Sequence, residues 1–191
     1  LLMGQLEQNI SLMYKQMEST VEERGKFLSL FTDRKRFTRY LQCILIGIPL
    51  WFLVGVLITF SPEFAKALGV DGAETIKAGS AIAWCYGGLV FGDIMSGMLS
   101  QYLQSRKKVM AIFLALNLLM VFVYLNAHGI TSGMFYLLCM AMGFSVGYWV
   151  IFVTIAAEQF GTNIRATVTT TVPNFVRGSL PAIILIYQYF R

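Results

Sequence analysis

Long runs of apolar positions, broken by short clusters of polar and turn-forming residues, dominate the chain from residue 40 onward. Tyr40 to Pro62 carries no formal charge, and at about 1.5 Å of rise per residue it matches a bilayer core of about 30 Å. This predicts a first membrane span. A second runs from Lys77 to Gln104; its one formal charge between those ends is Asp93, and Gly79, Gly87, Gly88, Gly92 and Gly97 along it would let a neighbouring helix approach closely. Val109 to Ala157 holds no acidic or basic residue and is too long for one helix. The turn-forming stretch from Asn126 to Gly133 divides it, giving spans three (109–126) and four (134–157). Asn163 to Phe190 reads as a fifth, interrupted by Pro173 and Pro181, whose freed carbonyls need neighbours to satisfy them.

The predicted fold class is therefore an all-α membrane protein, a bundle of five transmembrane helices over residues 40–191. Residues 1–39 precede it as a polar linker with Leu6, Ile10, Met13 and Met17 at helical spacing. Composition agrees, since 57% of residues are hydrophobic and 13% charged, where soluble domains carry about 25%. The net charge of +5 is a topology signal and calls for no nucleic-acid partner. Eleven of the fifteen Lys and Arg residues fall in 1–39, 105–108 and 158–165, which lie on one side if the spans alternate. The positive-inside rule puts those three segments in the cytoplasm. The chain opens on Leu1 with no leader, and an odd number of spans would leave Arg191 outside, so a fragment of a longer transporter-like chain is expected.

Candidate chemistry is sparse. Cys43, Cys85 and Cys139 show no paired spacing and read as apolar fillers. His128 is the only histidine, so neither a metal nor another cofactor is expected. No titratable pair has the spacing of a catalytic constellation, which argues against an enzyme. Arg177 and Asp93 stand out, because a charge at membrane depth costs at least about 2.5 kcal/mol and needs a partner or a purpose. Arg177 is 12 residues past Arg165 and Asp93 is 13 before Arg106, or about 18 and 20 Å from the cytoplasmic end. At matching depth they are expected to neutralise each other and to part when substrate or a proton arrives. A static pair, or an Asp93 bonded to local hydroxyls, is the structural alternative. Asn174, one turn before Arg177, is a candidate donor to the same ligand. Trp51, Trp84, Tyr86, Tyr148 and Trp149 line either a cavity or a lipid face. Gly88 with Gly92, and Gly143 with Gly147, have the four-residue spacing of tight helix crossings. On the cytoplasmic side, Glu158 and Arg165 flank one turn and Arg106, Lys107 and Lys108 follow another, a set able to hold one state of a moving bundle.

These residues resemble the carboxy-terminal half of a major facilitator superfamily transporter. Gly97 to Lys108 resembles the Gly-rich signature between the second and third helices of a half, with Gln101 in place of the usual Asp and Ser105 in place of a Gly. Glu158, six residues and Arg165 resemble the pattern between the fourth and fifth helices in sugar porters and metabolite:proton symporters. Arg165-Ala-Thr, Asn174 and Arg177-Gly178 match the next helix of bacterial metabolite symporters. The resemblance implies five helices of a six-helix half, built to meet a missing amino-terminal half around a mid-membrane substrate. It implies a secondary active transporter in a bacterial cytoplasmic membrane, coupling protons to a small polar or anionic metabolite. Asp93, Asn174 and Arg177 would serve substrate or proton, with Gln101, Arg106, Lys107, Glu158 and Arg165 as a cytoplasmic gate. A sugar porter of the same superfamily, and a membrane structural or sensor subunit without flux, are the alternatives.

Overall fold

Asp33 starts the first long helix. Its carboxylate accepts a hydrogen bond from the Lys35 amide at 2.9 Å, satisfying one of the donors that a helix start leaves open. The computed structural model describes Met13 and residues 29–190, so the amphipathic pattern through Leu6, Ile10 and Met17, and Arg191, lie outside the described residues. Within them every regular element is helical: α1 (Ser29–Thr32), α2 (Arg34–Phe52) continuing into a π-helical segment (Leu53–Ile58), α3 (Ser61–Ala67), a 3₁₀ turn (Ala73–Thr75), α4 (Ala78–Leu103), α5 (Arg106–Leu125), α6 (Ser132–Ser145), α7 (Trp149–Glu158), α8 (Thr162–Gly178) and α9 (Leu180–Phe190). Four stretches are long and apolar enough to cross a membrane, namely Arg34–Ile58, Ala78–Leu103, Arg106–Leu125 and Ser132–Glu158, as an integral membrane protein requires.

The segment read as a fifth span is two helices, 162–178 and 180–190, divided at Ser179. Pro181 lies just past the division, and the Ser179 hydroxyl donates to the Val176 carbonyl at 2.7 Å, an internal bond that commonly bends helices. The first long helix also begins six residues before the apolar run, because Asp33 caps it and the polar first turn needs no burial.

Glycine spacing decides the closest packing. α4 lies along α6, and a Cβ added to Gly88 would sit 1.9 Å from the Met140 carbonyl oxygen, one on Gly143 at 1.9 Å from that of Cys85. Gly92 and Gly147 meet in the same way, so backbone touches backbone over two turns. A Cβ added to Gly79, Gly87 or Gly97, on the same helix, would meet nothing within 4 Å. The remaining helices pack as α2 on α8, α7 on α8, and α5 against both α4 and α6.

Both ends of the bundle are tied. At one, Asp71 and Thr131 form a bridge in which the Asp71 amide donates to the Ile130 carbonyl at 2.9 Å and the Ser132 amide to that of Asp71 at 3.1 Å. At the other, Arg39, Arg106, Lys107 and Glu158 converge on one pocket. Arg39 of α2, the basic turn between α4 and α5, and the acidic end of α7 thus share one end.

Candidate functional site

Three breaks in helical regularity build the first cluster. Pro49 has no N–H to donate and disrupts the turn before it, and α2 then loosens to π geometry from Leu53, where the Thr59 amide reaches back five residues to Val54 at 3.2 Å. The Leu57 carbonyl accepts the buried Tyr124 hydroxyl at 2.9 Å. Between α6 and α7 the helix opens over residues 146–148, where Gly147 is pressed on Gly92. Tyr148 in this break is buried and donates to the Ile46 carbonyl at 3.3 Å.

These breaks place two tryptophans and two charges together. Trp51, just past Pro49, and Trp149, the first residue of α7, meet edge to face with ring centroids 6.1 Å apart. The Arg177 guanidinium lies 5.7 Å from the Trp51 centroid and 5.5 Å from that of Trp149. Such contacts are worth about 0.5–1 kcal/mol when exposed and about 2 when desolvated, and here two rings share one cation. The Trp51 indole N–H is buried without a partner. On the other side of Trp149, its amide and that of Val150 face the Asp93 carboxylate, whose Oδ1 is buried and unpartnered.

The expected mutual neutralisation of Asp93 and Arg177 does not occur, since the two form no ion pair. The reason is geometric. The helix break exposes the amino terminus of α7, a partial positive charge that holds a carboxylate, and Arg177 finds its stabilisation on the two indole faces. Both charges contact Trp149, one through its backbone and one through its ring. The arrangement offers a guanidinium, exposed on its helix, beside an indole donor, which is the chemistry for receiving an anion.

Asn174 lies elsewhere. It lines an apolar groove of about 750 Å³ between α2 and α8, with Tyr40, Ile44 and Thr171. Trp84 and Tyr86 are exposed on α4, outside the aromatic cluster. The three cysteines are buried and free, and among the described residues no three of His, Cys, Asp and Glu gather into a metal site.

The second cluster is a pocket of about 620 Å³ at the basic end. Arg106 donates a hydrogen bond to Glu158. Each residue is at the unfavourable end of its helix, the cation at the amino terminus of α5 and the acid at the carboxyl terminus of α7, so pairing offsets both mismatches. Gln104 makes the turn with φ of 48°, a left-handed conformation costly for a residue with a Cβ. Lys107 joins the pocket, while Gln101 and Arg165, expected in the same gate, are exposed and do not line it. Gln101 is three residues before the turn that forms the wall, and Arg165 is carried off on the first turn of α8. Arg39 is the member that sequence reasoning missed. It stands four and eight residues before Cys43 and Gly47, both on the buried face of α2, and that register was its signal.

Compared with known proteins, the chain matches no protein-family model, no curated protein and no solved structure.

Proposed function

We propose that the chain forms one wall of a secondary active transporter of the major facilitator type, with five spans, that moves a small anionic or polar metabolite across a bacterial cytoplasmic membrane by alternating access with proton coupling. The observation that carries this reading is Arg177, a cation exposed on α8 of an apolar bundle, held on two indole rings and free of any carboxylate. A structural arginine at such depth would be neutralised, and this one is left available to an anion. Asp93, seated against the start of α7 on the far side of Trp149, is the group whose protonation would be felt at the substrate through that residue. In this reading α8 and α9 together supply the fifth span, and Arg106 with Glu158 latches the cytoplasmic ends. The arrangement needs a second half, facing Arg177, to close the cavity.

The test uses the native full-length protein in proteoliposomes and a panel of labelled small carboxylates and sugars. Arg177→Lys is expected to weaken carboxylate binding about tenfold or more, because an ammonium lacks the fork that grips a carboxylate and stacks on indole. Asp93→Asn is expected to abolish accumulation against a gradient while exchange persists. Uptake of no panel member, or full transport by Arg177→Met, refutes the proposal.

A further inference from the structure

The pocket at the basic end has more positive charge than its own acid can match. Arg39, Arg106 and Lys107 face one carboxylate, that of Glu158, and Glu158 is taken by Arg106. Arg39 and Lys107 form no ion pair among the described residues. Both side chains are exposed, so the pocket opens to the surface.

The backbone adds to this surplus. α5 begins at Arg106, and Ser105 before it makes no side-chain cap, nor does any acidic residue occupy the first turn. The amide donors of a twenty-residue helix therefore open beside the same cations. A helix start with three consecutive cations is electrostatically costly unless an anion sits on it. Glu158 offsets the charge of one of them.

The position of the pocket narrows the anion. It lies where α2, α5 and α7 reach the end of their apolar length, and Ile155 in its wall continues into the buried apolar face of α7. A ligand with a charged head and an apolar body fits such a boundary. We propose that this pocket binds a phosphate ester, the headgroup of an anionic phospholipid, through Arg39, Lys107 and the open amides of α5. The inference does not depend on transport and goes beyond it. An arginine grips phosphate oxygens in pairs and a lysine adds a point charge, so the two free cations suit one phosphate.

The whole chain is reconstituted in phosphatidylcholine vesicles alone, with phosphatidylglycerol, or with inorganic phosphate, and then extracted. Retained phosphatidylglycerol is read by mass spectrometry and thermal protection by thiol labelling. Arg39→Gln with Lys107→Gln is expected to lower retention about tenfold or more, while Arg34→Gln with Lys35→Gln, an equal charge loss outside the pocket, leaves it unchanged. If the first pair does not fold, Lys107→Gln alone repeats the test with a smaller drop. Protection by inorganic phosphate without phosphatidylglycerol, lost in the same variants, supports the site with a soluble phosphate as its source. Equal loss in both pairs, or no response to either phosphate, overturns the proposal.

Discussion

Replacing Gly88 with alanine tests the seam between α4 and α6 at its tightest point. The added Cβ would stand 1.9 Å from the Met140 carbonyl oxygen, 2.8 Å from its carbon and 2.9 Å from the Phe144 amide nitrogen. All three are backbone atoms, so no side chain can swing aside. Ordinary contact begins near 3.4 Å, so the helices must part by about 1.5 Å. A gap of half to one ångström already forfeits about a quarter to a half of a contact's attraction, and Gly92, Gly143 and Gly147 share the loss. Overpacking usually costs about 1–3 kcal/mol, and with an unyielding partner we expect about 3 kcal/mol or more. Gly87, the preceding residue, meets nothing within 4 Å, so Gly87→Ala is expected to be neutral or to stabilise by about 0.5–1 kcal/mol through lower chain entropy. Buried Cys85 and Cys139 provide the assay, because heating in detergent with a thiol-reactive fluorophore reports when the seam opens. Unfolding curves that coincide for the two alanine variants would refute the packing argument.

Three further outcomes are expected. Gln104→Gly relieves the left-handed turn between α4 and α5 and should raise stability by about 1 kcal/mol in the same melt. Tyr124→Phe removes the hydroxyl bonded to the Leu57 carbonyl in the π-helical segment, and a buried acceptor left unmatched should cost about 1–3 kcal/mol. Glu158→Gln breaks an exposed pair with Arg106, so stability should change by no more than about 1 kcal/mol in the same melt, and under the proposed function uptake should fall while ligand binding persists.

The long helices were legible because charge-free runs of bilayer length have few other folded forms, and the turn at 126–131 was legible from its small polar residues. The four-residue spacing of Gly88 with Gly92 and of Gly143 with Gly147 marked the α4 and α6 seam, and the structure leaves Gly87 and Gly97 outside it. That difference is one of azimuth, set by which face of α4 meets α6. Azimuth also explains the Asp93 and Arg177 misreading. Rise per residue gives depth, and two charges at one depth still need facing helices. Arg39 was hidden among seven basic residues before residue 40, where only its register with Cys43 and Gly47 distinguished it.

The breaks at 53–58 and 146–148 were the least legible features, and they account for most of the site. Backbone groups freed within a bilayer must find protein partners or water. Here neighbouring helices provide them: Tyr124 for Leu57, and Asp93 beside the amides of Trp149 and Val150. The broken span therefore gives the Asp93 carboxyl backbone partners that are independent of Arg177. It also begins α7 at Trp149, which fixes the indole on which Arg177 lies. A change that straightens the helix through Gly147 would displace a carboxylate partner and an aromatic platform in one movement. Asp93 and Arg177 thus both meet Trp149, one at its backbone and one at its ring, with no direct contact between the charges.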